Sequence, residues 1–236
     1  MRIVSYNIHG CVGTDGRRDP GRVAAVLEAL APDVVALQEV DSRTSRGGLD
    51  QAMIVSRWLG MTLVEGPLLR DHVGHYGNAV LSRWPLRQLG DGLYRAQGAE
   101  LRGWVEIETV GPGGAAWRVL TTHLDLAGTI RSAQLRELAA RVQAATGPLV
   151  LAGDLNEWRP WRRGMGGLGR SLCLLAPLPT FPSRRPLLAL DRLALRAASA
   201  TAGPTVDRST PARRASDHLP LWAELAADPP TFTRTG

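Results

Sequence analysis

The chain contains no lysine: all 28 of its basic residues are arginine. Schiff-base chemistry at a lysine amine and a phosphate-gripping P-loop are both excluded, because each requires that residue. Cysteine is nearly absent too, with Cys11 and Cys173 far apart in sequence. A cysteine-rich zinc site is excluded, a disulfide scaffold is disfavoured, and a lone Cys11–Cys173 bridge is not expected in a reducing compartment. No serine or cysteine sits in a nucleophile motif. No secretory core follows Met1, and no apolar run reaches the length that spans a membrane. These absences describe a soluble, cytoplasmic protein without a transmembrane segment, and nothing in the chain predicts a protein partner.

What is present is an ordinary globular composition. The 236 residues are 44% hydrophobic and 21% charged, with a net charge of +6, enough chain to bury a sizeable core. Arginine alone reads either as the mark of a GC-rich genome or as attraction to a polyanion that it contacts in bidentate fashion. Residues 3–9 alternate as a strand. Asp19-Pro20 is a capped helix start, and Val23, Val26, Leu27 and Leu30 follow at helical spacing. The continuous run Val34–Leu37 predicts a strand covered on both faces. Further strands are expected over 78–82, 104–110, 117–122, 148–152, 187–195 and 219–225, with helices over 52–59 and 129–145. Strand, helix and buried strand ending in an acid recur in both halves without a linker. That predicts one domain over 1–227, followed by a loose proline- and threonine-rich tail over 228–236.

Seven polar motifs lie at the ends of these apolar runs. They carry Asn7, Glu39, Asn78, His123, Asp154 with Asn156, Asp191, and Asp217 with His218. Polar residues that terminate separate buried strands converge on one site in layered α/β domains. Two histidines, three aspartates and a glutamate point to metal-assisted hydrolysis. Strand periodicity puts Asn7 and His9 on one face and lets Asp154 and Asn156 reach a common substrate. Asp217 and His218, being adjacent, cannot pair, so His218 needs another carboxylate to fix its tautomer, and Asp191 is the natural candidate. Each motif alone has an ordinary reading as a turn, a core histidine or a strand exit; seven in one chain do not.

As a set the motifs resemble the endonuclease/exonuclease/phosphatase superfamily, in the family's order and over residues 3–225. The matching stretches are Ser5–Gly10, Leu37–Val40, Tyr76–Arg83, Thr122–Leu124, Gly153–Asn156, Leu190–Leu193 and Ser216–Pro220. The resemblance implies a four-layer α/β/β/α sandwich of the deoxyribonuclease I type with its site at one end. It implies Mg²⁺ or Mn²⁺ held chiefly by Glu39, with Asn7 and Asp217 contributing directly or through water. It implies in-line attack of water on phosphorus, with Asp154 orienting or deprotonating that water. Asn156 and Asn7 would position the phosphate, and His123 and His218, the latter held by Asp191, would stabilise the developing charge. Asn78 falls in a matched motif of the substrate side, and Arg102 resembles a family arginine that contacts the phosphate.

The resemblance does not name the substrate. Val40-Asp41 stands where the apurinic/apyrimidinic endonucleases carry threonine-lysine, which counts against a DNA-repair role. Basic residues adjoin four motifs: Arg17 and Arg18, Arg184 and Arg185, Arg213 and Arg214, and Arg159, Arg162 and Arg163 interleaved with Trp158 and Trp161. If the motifs converge, these loops form an arginine rim suited to a polyanionic phosphoester, nucleic acid foremost, with Trp158 stacking on bases. The alternatives are an anionic lipid surface, with the same chemistry on a phospholipid or small phosphoester, and a non-catalytic binding module that kept the fold.

Overall fold

A computed structural model describes residues 1–43, 45, 47–158, 165 and 167–227. In chain order, β1 (Arg2–Asn7) leads through α1 (Pro20–Leu30) to β2 (Val34–Asp41), and α2 (Gln51–Leu59) follows. Five strands come next: β3 (Thr62–Arg70), β4 (His75–Ser82), β5 (Leu86–Leu93), β6 (Gly103–Val110) and β7 (Ala116–His123). α3 (Gly128–Ala144) crosses to β8 (Leu149–Asp154); α4 (Leu168–Ser171), β9 (Cys173–Leu174), β10 (Asp191–Arg196), β11 (Ala198–Val206), α5 (Thr210–Ala215) and β12 (Leu221–Ala227) complete the order.

The strands form two six-stranded sheets, ordered β11-β12-β1-β2-β4-β3 and β5-β6-β7-β8-β10-β9. Each contains one parallel pair, β1 with β2 and β7 with β8, and each pair is joined by a helix, α1 or α3. These are the two halves of the repeated strand–helix–strand pattern in the sequence. Alternation along β2 explains its unbroken apolar run. Val35 and Leu37 face the helices with Val23, Leu27 and Val55, whereas Val34 and Ala36 face the second sheet with Ile107, Val119 and Val150. A third apolar cluster lies under α3 and contains Leu120, Leu135, Leu138, Val142 and Leu151. Three cores separate four layers, as the α/β/β/α expectation requires.

Helix starts follow the local sequence. Asp19 caps α1 by accepting from the Arg22 N–H at 3.2 Å, Pro20 takes the first turn, and Ala31 leaves in the left-handed region. Three expectations need correcting. The chain leaves β1 at Asn7: His9 has φ 49° and opens a 3₁₀ turn, so it does not share a strand face with Asn7. The strand expected over 187–195 begins only at Asp191. Leu187 and Leu188 instead turn back on Phe181, donating their N–H groups to its carbonyl. The last strand starts at Leu221: Pro220 still accepts from the Asp207 N–H but has no N–H of its own to extend the ladder. β3, β5 and β11 were not anticipated; they are edge strands interrupted by glycine or proline, and their periodicity is weak. Cys11 and Cys173 are free thiols, the first buried and the second exposed. Among the described residues no helix is long and apolar enough to cross a membrane. The tail from 228 lies outside the described residues.

Leu37 is fully buried between sheet and helices. Leu37→Ala should lower unfolding free energy by about 2–5 kcal/mol, measured by urea denaturation; a loss below ~1 kcal/mol would contradict the packing described.

Candidate active site

The two parallel pairs end on the same side. Asn7 closes β1, Glu39 lies near the end of β2, and His123 and Asp154 close β7 and β8. Stacking of the sheets brings these ends together around a cavity of about 750 Å³. Its wall includes Glu39, Tyr76, Arg102, His123, Asp154, Asn156, Trp158, Asp217 and His218.

Asn7 sits at the centre. Its side-chain NH₂ donates to Glu39 Oε1 at 2.9 Å and to Asp154 Oδ2 at 3.1 Å, joining a carboxylate of one sheet to a carboxylate of the other. Its carbonyl oxygen accepts from His9 N–H at 3.1 Å. Glu39 reaches this position because β2 slips register against β4 between Leu37 and Val40 and Glu39 takes φ 57°. Asn156 has φ 49° just beyond β8. Left-handed backbone at non-glycine residues costs roughly 1–3 kcal/mol each, and such strain persists where function over-determines it.

Asp154 is buried. Its Oδ1 accepts from the Asn156 N–H at 2.9 Å, which leaves Oδ2 to face the cavity's polar groups. Burial pushes its carboxyl up and the Asp191 charge adds to this; His218 and two hydrogen bonds oppose, and the balance is a pKa of about 6. His218 Nδ1 lies 2.8 Å from Asp191 Oδ2, and its Nε2 lies 3.7 Å from Asp154 Oδ2. Burial alone would pull this imidazolium down. The charge and hydrogen bond of Asp191, with Asp154 and Asp217, outweigh it and raise the pKa to about 10. Thr180 Oγ1 also donates to Asp191, and the Phe181 ring packs 4.9 Å from that of His218.

His123 behaves oppositely. Burial, then the charges of Arg102 and His218, hold it well below the usual histidine range, so it is neutral. Its Nδ1 lies 3.0 Å from Arg102 Nη1, and a guanidinium only donates. Nδ1 therefore accepts, and Nε2 lies 3.1 Å from the Asn156 side-chain NH₂ and 3.4 Å from Asp154 Oδ2. Asn156 places its NH₂ on the Leu124 carbonyl at 2.9 Å, tying the two parallel strand ends together.

The remaining sequence-derived residues are dispersed. Arg102 lines the cavity, is nearly fully buried, and donates to the Tyr76 hydroxyl at 3.0 Å. Trp158 lines it half-exposed, with the Arg131 guanidinium 5.0 Å from its ring. Asp217 lines it partly exposed, 3.8 Å from His9 Nδ1. Asp191 is buried behind His218, as its pairing demands. Asn78 does not line the cavity; it is buried and donates to the Gly103 carbonyl of the other sheet at 3.1 Å. Arg162 and Arg163 lie outside the described residues. Tyr76, Thr180 and Phe181 were not singled out from sequence. Only Tyr76, two residues before Asn78 on one strand face, carried a periodicity signal.

The chain matches the Endonuclease/Exonuclease/phosphatase family over residues 4–218 and belongs to it. It is 39% identical to the uncharacterized protein YbhP of Escherichia coli K12, covering 95% of this chain and 96% of that one. Among solved structures it resembles an endonuclease/exonuclease/phosphatase from Beutenbergia cavernae, at 26% identity and TM-score 0.74, covering 97% of this chain and 72% of that one. It also shares its fold with Danio rerio TDP2 complexed with single-strand DNA product, at 19% identity and TM-score 0.69, covering 96% and 99%. Family members hydrolyse phosphoester bonds and generally use divalent metals.

Asp191→Asn should leave the fold intact and lower the His218 pKa from about 10, read by NMR titration of the imidazole in metal-free protein. An unmoved pKa would assign the stabilising charge to another group.

Proposed function

We propose that this protein is a divalent-metal-dependent phosphodiesterase that attacks phosphorus with an activated water, and that its substrate is nucleic acid. The observation that carries the chemistry is the Asn7 bridge, which holds Glu39 and Asp154 side by side on a cavity next to the Asp191-braced His218. A non-catalytic binding module would have no use for a buried carboxyl group, its pKa raised by burial, held beside a buried imidazolium.

The donors fit a hard cation. Glu39 and Asp217 offer carboxylate oxygens, Glu39 partly exposed and projecting into the cavity, and the Asn7 side-chain NH₂ holds Glu39 in place from behind. Asp154, Asp191 and His218 also bring ligand atoms within 4.8 Å of one another. There, however, one Asp191 oxygen accepts from Thr180 and also faces His218 Nδ1, so the imidazole is already committed. Glu39, with Asn7 and Asp217, is therefore the assigned metal group, and Mg²⁺ or Mn²⁺ is the assigned ion class. The cation would neutralise charge on the phosphoryl oxygens.

Each remaining part of the reaction falls to a named side chain. Asp154 Oδ2 accepts a proton from water as the water oxygen bonds to phosphorus and the opposite P–O bond breaks, the departing oxygen taking a proton from solvent to leave as the alcohol. His218, charged and oriented by Asp191, donates from Nε2 to a phosphoryl oxygen and opposes the charge that develops there. Arg102 supports a second phosphoryl oxygen. His123 serves as a positioning residue: its Nδ1 accepts from Arg102, and its Nε2 lies 3.4 Å from the Asp154 oxygen that takes the proton.

The nucleic-acid reading rests on the loops around the cavity. Arg184 donates to the Thr14 carbonyl, Thr14 donates to the carbonyls of Arg213 and Arg214, and Arg213 donates back to the carbonyls of Ser183 and Arg184. A Cβ at Gly13 would lie 2.3 Å from the Arg214 carbonyl, so the first of these loops can approach only as glycine. Three arginine-bearing loops thus meet beside Asp217 and share one field. A phospholipid is the second reading, favoured by the exposed apolar side chains Leu69, Leu126, Trp158 and Leu188 on the cavity wall.

Two experiments separate these claims. Glu39→Gln should reduce turnover of a generic diester and of single-stranded DNA by orders of magnitude, with partial rescue at most by excess Mn²⁺; unchanged turnover and metal affinity would remove Glu39 from its role. Arg17→Gln with Arg185→Gln should weaken binding of an oligonucleotide and flatten its salt dependence by roughly one unit per lost phosphate contact, while hydrolysis of a small diester stays unchanged. A salt-independent affinity, together with turnover on anionic vesicles, would favour the lipid reading.

A further inference from the structure

Arg102 is only 4% exposed, and its guanidinium meets three partners. Nη1 reaches the Tyr76 hydroxyl and His123 Nδ1, each at 3.0 Å. Nη2 is taken by Glu100 Oε2 at 2.6 Å, while Nε is buried without a hydrogen-bond partner. Tyr76, half-buried, and His123, buried, are parts of the cavity wall. Glu100 is different: its side chain is 66% exposed, and it belongs to the connector between β5 and β6.

That connector is pinned on both sides of Glu100. Gln97 donates to the carbonyls of Tyr94 and Arg102 and accepts from Arg102 N–H. Gly98 packs so closely on the Asp125 carboxylate that a Cβ there would lie 2.2 Å from it. Ala99 and Glu100 are both exposed between these anchors. An ion pair with one partner so exposed contributes little to stability. A phosphoryl oxygen meeting the same guanidinium makes a charge-assisted bond of the same kind.

We propose that Glu100 is a specificity-determining residue: its carboxylate occupies the anion position of Arg102 and must be displaced by the phosphate. A negative charge fixed at the mouth then penalises ligands in proportion to their own charge. A doubly charged phosphomonoester is disfavoured more than a singly charged diester, which biases the site toward diesters by repulsion as well as by attraction. This rests on the phosphoester reading above but concerns binding, so it can be tested apart from turnover.

The experiment is calorimetric titration of the metal-free protein with inorganic phosphate and with dimethyl phosphate, in wild type, Glu100→Gln and Glu100→Gln/Arg102→Gln. Glu100→Gln should tighten phosphate binding about three- to tenfold and dimethyl phosphate clearly less, and the added Arg102→Gln should abolish the gain. A melting temperature unchanged by Glu100→Gln would show that the fold is not involved. Equal tightening of both ligands would overturn the charge selection, and no tightening, or no phosphate binding in any variant, would overturn the displacement itself. A protein that shows these shifts yet hydrolyses no phosphoester would leave the Glu100 assignment standing and remove the proposed activity.

Discussion

One side-chain amide joins the two sheets at the point where chemistry is possible. Asn7 belongs to the first sheet and donates to Glu39 of that sheet and to Asp154 of the other. Two carboxylates drawn that close in a buried setting are held by more than this bridge. Asp154 is steadied by the Asn156 N–H, Glu39 by a slip in register, and His218 by Asp191. The rest of the molecule can be understood as what keeps this arrangement in place. Three apolar layers fix the relative height of the strand ends, and the two strand–helix–strand units ensure that those ends fall on one side.

The two histidines show how one cavity sets two protonation states. His218 has carboxylates against it and stays charged; His123 has a guanidinium against it and stays neutral. The first suits a group that meets a developing negative charge, and the second suits an acceptor that holds the Arg102 guanidinium in the cavity wall. Both states follow from neighbours, because burial pushes each imidazole in the same direction.

Much of this was legible in the sequence because the site residues end the most strongly apolar strands. Val34–Leu37 predicts a buried strand, and Glu39 follows it; Leu149–Ala152 does the same for Asp154. The pairing of Asp191 with His218 followed from adjacent residues facing apart. What could not be read depends on tertiary contact. His9 leaves the strand pattern at a positive φ, so periodicity misplaced it. Tyr76 and Glu100 gain meaning only through Arg102, which lies between them in space. The edge strands β3, β5 and β11 carry glycines and prolines and borrow their conformation from neighbours. The convergence of the arginine loops depended on backbone hydrogen bonds at Thr14 that no motif announces.

In the proposed reaction, water activated at Asp154 attacks phosphorus. This step is tested most directly by a single turnover of a phosphodiester with Mg²⁺ in ¹⁸O-labelled water, with mass analysis of both products. One labelled oxygen should appear on the phosphorus-containing product and none on the released alcohol. Label in the alcohol would place bond cleavage at carbon, and the absence of any turnover with Mg²⁺ or Mn²⁺ would contradict the assignment of this cavity to hydrolysis.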